Sequence, residues 1–126
     1  MIYKRDPEKP NQIFVFGSNL VGRHGLGAAL DARMHWGAIP GMGIGKQGCS
    51  YAIPTKGAHL EILDLEVIES YVRLFIRYAN ENPHLEFLVT RVGCGLAGYK
   101  DEQIAPMFRD APHNCVLPPE WEKFCA

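Results

Sequence analysis

Residues 14–29 read FVFGSNLVGRHGLGAA: an apolar run stops at Gly17-Ser18-Asn19, and Gly22, Gly25 and Gly27 follow almost at once. Glycine loses more conformational freedom on ordering than any other residue. A cluster of glycines after a strand therefore marks a place where the backbone must turn sharply or let something approach closely. Of the thirteen glycines in the chain, ten lie between 17 and 57 and the remaining three are Gly93, Gly95 and Gly98. The second group also follows an apolar run, EFLVT at 86–90. Any fold for this chain must accommodate two such strand-to-glycine junctions.

The runs IFVF (13–16), SYAIP (50–54), EFLVT (86–90) and 114–117 predict strands, the first of them continuous enough to be covered on both faces, as in a parallel sheet. Between them the spacing turns helical. Residues 25–36 place Leu26, Ala29, Leu30 and Met34 on one face, with Asp31, Arg33 and His35 largely off it. The longest helix is expected over 65–81, with Asp64 as N-cap and Leu65, Ile68, Tyr71, Val72, Phe75, Ile76 and Ala79 at i, i+3, i+4, i+7 spacing. Asn82-Pro83 closes it, because proline cannot continue a helix and disfavours the α region for its predecessor. A last helix is predicted over about 102–110, and GAIPGMGIGKQG (37–48) reads as a loop without regular structure. The order strand-loop-helix, strand-helix, strand-loop-helix, strand argues for an α/β protein with a parallel or mostly parallel sheet and helices on its faces. Right-handed crossovers then put the strand-to-helix loops on one edge, where open α/β sheets bind ligands.

At 126 residues the chain has the length of one domain, so 1–126 is read as a single unit. Charged residues make up 21%, and the net charge of −1 gives no overall attraction to nucleic acid or to an anionic membrane. There is no apolar run near the roughly 20 residues a membrane helix needs, and MIYKRDPEKP lacks the apolar core of a secretory signal, so a cytoplasmic protein is expected. The four cysteines, at 49, 94, 115 and 125, form no metal or disulfide pattern and read as reduced, mostly buried thiols. His35, His59, His84 and His113 lack any spacing that would build a metal site, and no cofactor is indicated.

A glycine-rich turn leading into a helix presents several backbone N–H groups, and the helix dipole adds about half a positive charge there. Phosphate is the natural guest. GRHGLGAA (22–29) and GCGLAG (93–98) both have this form, and two of them at one sheet edge suggest a diphosphate gripped from both sides; the alternative is that the glycines serve tight turns and close packing only. Neither loop fits GxxxxGK[ST], which disfavours a P-loop triphosphatase. Beside the loops, Asn19 suits either a ribose hydroxyl or an Asx turn, and Arg23 either phosphate or solvent. His24 is either an acid/base or simply a polar loop residue, and Lys56 either a Schiff-base nucleophile or an exposed cation. Trp36 and Trp121 read as packing, while Tyr99, inside the second loop, is placed to meet a ligand.

RVGCGLAGYKDEQIAPMF (91–108) resembles the macro-domain signature in which a strand runs into an I-G-C-G-L-type loop and then a helix. FGSNLVGRHGLGAAL (16–30) is similar to the same family's Asn-containing strand end and glycine loop, and YAIPTKG (51–57) to the lysine-bearing strand end of the branch that removes terminal ADP-ribose. The resemblance implies a three-layer α/β/α fold and a cleft for ADP-ribose or a related NAD-derived nucleotide, free or attached to a macromolecule. By position it implies Asn19 at the distal ribose, Gly25 and Gly27 at the diphosphate, and Gly93, Cys94, Gly95, Leu96, Ala97, Gly98 and Tyr99 closing from the other side. Gly17, Ser18, Arg23 and Thr55 complete the expected lining. Lys56 would attack the anomeric carbon, with His24 as the other candidate for acid/base work. In that branch an acidic residue follows the GCGL stretch; here Ala97 stands there. The resemblance thus carries binding and leaves hydrolysis of an ADP-ribosyl bond open, with a non-catalytic module that senses or sequesters a nucleotide signal as the alternative.

Overall fold

The computed structural model describes residues 3–125. Its five strands are β1 (Gln12–Asn19), β2 (Gly45–Gln47), β3 (Ser50–Lys56), β4 (Glu86–Val89) and β5 (Cys115–Val116). The four α-helices are α1 (Gly27–His35), α2 (Leu65–Glu81), α3 (Asp101–Ile104) and α4 (Glu122–Cys125), with 3-10 turns at Ala105–Phe108 and Pro119–Trp121. The strands form one sheet in the order β2-β3-β1-β4-β5. β1 runs parallel to both β3 and β4, and β5 is parallel to β4; β2 is antiparallel to β3, so the sheet is mixed and mostly parallel.

Alternation along β1 divides the core in two, because successive side chains of a strand point to opposite faces. Ile13 and Val15 join Tyr51, Ile53, Phe87 and Val89 beneath α2, which contributes Ile68, Val72, Phe75 and Ala79. Phe14 and Phe16 join Ala52 and Leu88 with α1, which contributes Ala29 and Ala32. Burial on both sides is why this strand reads as an unbroken apolar run.

α2 follows the expected periodicity, with Ile68, Val72, Phe75 and Ala79 buried and Leu65, Tyr71 and Ile76 partly buried beside them. Asp64 occupies the N-cap position, but its side chain makes no capping bond; its carbonyl accepts instead from Val67 and Ile68. At the other end Asn114 Nδ2 lies 3.0–3.2 Å from the carbonyls of Ala79, Asn82 and Leu85, tying the helix exit to the approach of β5.

Four expectations are corrected. α1 turns Ala29 and Ala32 to the sheet and leaves Leu26 and Met34 more than 60% exposed, because Trp36 at its C-cap stacks on Phe14 at 5.1 Å and fixes its rotation. The segment 37–48 contains β2, and Gln47 shapes its approach: the buried amide accepts from Ile39 N at 2.7 Å and donates to the Met42 carbonyl at 2.9 Å. The helix expected over 102–110 is a single α-turn followed by 3-10 geometry, since Pro106 supplies no N–H to continue an α-ladder. The cysteines are free as expected, yet each is half-buried rather than enclosed.

Phe75 anchors the larger cluster, its ring edge-on to Tyr51 at 5.1 Å and to Phe87 at 5.3 Å. Phe75→Ala should lower the unfolding free energy by about 3–5 kcal/mol, whereas Leu74→Ala, one position along and half exposed, should change it by less than about 1 kcal/mol. Urea unfolding of the two variants checks the contrast.

Candidate functional site

The parallel strands β1, β3 and β4 all end at the same edge of the sheet, and a cavity of about 470 Å³ opens there, within the range of small-molecule sites. Its floor is made by Gly17, Ser18 and Asn19 of β1, Thr55 and Lys56 of β3, and Thr90 and Arg91 just after β4. One wall is Arg23, Gly25, Leu26 and Gly27 with the start of α1; the other is Val92, Gly93, Gly95, Leu96 and Ala97. Both glycine loops therefore face one space. A register shift between Ser18 and Asn19 sets Asn19 opposite Lys56 across the β1–β3 pair, a local irregularity of the kind that re-aims side chains at sheet ends.

The first loop is closed by Asn19. Its Nδ2 donates to the Arg23 carbonyl and its Oδ1 accepts from Arg23 N, both at 2.8 Å, which realises the turn-forming alternative for this residue. Gly22 has φ +70°, and a side chain there would run into the backbone of Gly41 and Met42, so this glycine serves packing. Above Gly25 and Gly95 lies open space. His24 stands apart from the cavity: it is 2% exposed, lies edge-on to Phe16, and its Nε2 donates between the carbonyls of Ile39 (3.1 Å) and Met42 (3.0 Å). Its Nδ1 is buried with no partner among the described residues.

What the first loop offers a ligand is backbone. Leu26 holds the N-cap position of α1 in extended conformation (φ −145°, ψ 156°), and a leucine has no oxygen with which to cap. Among the described residues nothing accepts from the N–H groups of Gly25, Leu26, Gly27, Ala28 or Ala29. Across the cavity, the N–H groups of Gly93, Gly95, Leu96 and Ala97 are likewise without acceptors. The first N–H groups of a helix are left to a side chain, water or a ligand, and Gly25, Leu26, Gly27, Gly95 and Leu96 are exposed, so theirs are open to solvent. The hydroxyls nearby are spent inward: Ser18 donates to Gly43, Thr55 to Ser18 and Thr90 to Val15.

The lining carries three cations, Arg23, Lys56 and Arg91, and no carboxylate. Arg91 is held by Asp101 through two bonds of 2.9 and 2.7 Å, and Asp101 Oδ1 also accepts from the indole N–H of the buried Trp121 at 2.7 Å. The guanidinium, set against the opposing desolvation and reinforced by the indole, pulls the Asp101 carboxyl down to about 2.

Three other expected residues lie outside the lining. Cys94 donates its thiol to the Val92 carbonyl, and burial raises its pKa to about 12, so it carries no thiolate at neutral pH. Gly98 turns the chain away, and Tyr99 directs its hydroxyl to the Leu63 carbonyl at 2.6 Å. Residues the sequence reading passed over take their places. Arg91 and Thr90 arrive because a parallel β4 must end beside β1. Leu60 stands at the rim with φ 62°, the one non-glycine residue at positive φ among the described residues.

Among the described residues no cluster of metal-binding side chains occurs and no helix is long and apolar enough to cross a membrane. A scan of protein-family models, a search of curated proteins and a search of solved structures each return no match for this chain.

Because the Asp101 carboxyl is depressed in the folded state, its contribution to stability is fully present above about pH 4. It is lost as the pH falls towards 2, where the unfolded chain protonates first. Asp101→Asn should therefore unfold at lower urea than the unaltered protein at neutral pH, and the gap should narrow across that acid window. A gap independent of pH would contradict this assignment.

Proposed function

We propose that this protein is a macro-domain-like binder of ADP-ribose or a related NAD-derived nucleotide, free or attached to a macromolecule, with the sheet as the middle of three α/β/α layers. The observation that carries it is the uncapped N-terminus of α1 facing a second row of unpaired N–H groups across a cavity whose charged lining residues are all cations. A diphosphate is the ligand chemistry that such a pair of rows matches, since each row supplies donors to one phosphoryl group and the dipole of α1 favours negative charge at its end. Deeper in, the second N–H of the Asn19 amide and the Lys56 ammonium suit the hydroxyls of a terminal ribose. The open faces of Gly25 and Gly95 let the ligand backbone approach without a Cβ in the way.

Lys56 is the residue through which turnover would run, by attack of its amine on the anomeric carbon and departure of the leaving oxygen. Such an adduct needs a group to move protons while it is resolved. Ala97 holds the position where the resembled branch has an acid, no carboxylate lines the cavity, and the His24 ring faces two carbonyls elsewhere. That lack favours the second reading, a module that senses or sequesters the nucleotide without consuming it.

Calorimetric titration with ADP-ribose should give saturable binding, weaker for ribose 5-phosphate; no heat at millimolar ligand with folded protein would overturn the proposal. Product analysis with an ADP-ribosylated protein separates the two readings: turnover that vanishes in Lys56→Ala marks an enzyme, and no turnover in either protein marks a binder.

The bare N-cap gives a sharper expectation. Leu26→Ser should stabilise the unliganded protein by roughly 0.5–2 kcal/mol, the ordinary worth of a cap, while weakening ADP-ribose because the new hydroxyl takes an N–H that the phosphate would use. Thermal unfolding and titration of one variant read the two opposite signs.

A further inference from the structure

Of the three cations lining the cleft, one is held from behind. Nε and Nη2 of Arg91 donate to the two oxygens of Asp101. A guanidinium is planar with five N–H donors in a fixed fork, so anchoring one edge sets the direction of the rest and leaves three donors unused. The anchor itself cannot follow Arg91 if that side chain swings. Asp101 is the first residue of α3 and also accepts from Trp121, whose ring is fully buried against Phe108 at 5.0 Å. Among the described residues neither Arg23 nor Lys56 has an acidic partner. Those two must be ordered by whatever they bind, whereas the ordering of Arg91 is already complete.

We infer that Arg91 contacts the anionic part of the ligand in this cleft, and that Asp101, fixed by Trp121, is the positioning residue that aims its free guanidinium edge. This deepens the reading of the cleft as a diphosphate site and rests on it. The same ion pair could have worked the other way, since a carboxylate beside Arg91 also subtracts positive charge from the cleft. The two roles predict opposite signs. A positioning Asp101 strengthens anion binding and its removal weakens it; a competing Asp101 would be inhibitory and its removal would tighten binding.

The test titrates inorganic pyrophosphate and, separately, ADP-ribose into the unaltered protein, Arg91→Ala, Arg91→Lys, Asp101→Asn and the double variant Arg91→Ala/Asp101→Asn, with each confirmed folded by circular dichroism. Asparagine keeps an oxygen for the Trp121 indole, and Arg91→Lys leaves Asp101 in place should Asp101→Asn not fold. Pyrophosphate affinity should fall roughly 10- to 100-fold in Arg91→Ala, the scale of a charged hydrogen bond. Asp101→Asn should fall in the same direction and add nothing in the double variant, as expected for residues that act as one unit. Arg91→Lys, which keeps the charge and loses the fork, should resemble Arg91→Ala. Unchanged or tighter binding in Asp101→Asn, or full affinity in Arg91→Lys, overturns the inference. Pyrophosphate binding with this variant pattern but no ADP-ribose binding sustains the inference and removes the nucleotide reading. ADP-ribose binding that is equal in all the variants does the reverse, and an unaltered protein that binds neither probe removes both.

Discussion

The parallel pairing of β1 with a neighbour on each side is the constraint from which the rest of the structure follows. A parallel pair needs a crossover for every return, and the crossovers place helices against the sheet, so both faces of β1 are enclosed. Because β1, β3 and β4 point the same way, their ends and the loops that leave them share one edge. The cavity there needs no separate device to create it. The same geometry brings Thr90, Arg91 and the loop that follows them to a site whose other residues come from far earlier in the chain.

Much of this was legible in the sequence wherever a pattern was repeated over enough residues. The seven apolar positions of α2 and the unbroken IFVF run each reported a face turned to the core, and both glycine clusters lie at the edge of the sheet where the cavity opens. What escaped notice rests on single side chains. β2 is shaped by one glutamine amide reaching three backbone groups, and a lone Gln47 in a glycine-rich stretch has no periodicity to read. The rotation of α1 is decided by one stack between Trp36 and Phe14, which outweighs the more apolar stripe of Leu26, Leu30 and Met34. Asn19, Lys56 and the open glycines Gly25 and Gly95 line the cavity. His24 and Tyr99 are in the expected loops but point elsewhere, since spacing assigns a residue to a loop and not a direction to its ring.

Electrostatically the cleft differs from the molecule around it. The chain as a whole is slightly acidic, yet every charged side chain lining the cavity is a cation. The Asp101 carboxylate is turned to hold Arg91 and Trp121. An overall charge near zero thus hides a local field that favours a small anion and would give little pull on a polyanion at long range.

The register of the central strand has a kinetic side. Phe14 pairs with Ser50 and Gln12 with Glu86, so the strand that floors the cavity is completed only when segments far apart in the chain have met. Contacts of such long sequence separation are slow to form, because the intervening chain must be closed before they return any energy. A partly folded chain that has made only its local structure, such as α2, holds neither wall of the cleft in place. Assembly of the cavity during refolding therefore tracks the last, non-local step, which makes its formation coincide with closure of the sheet.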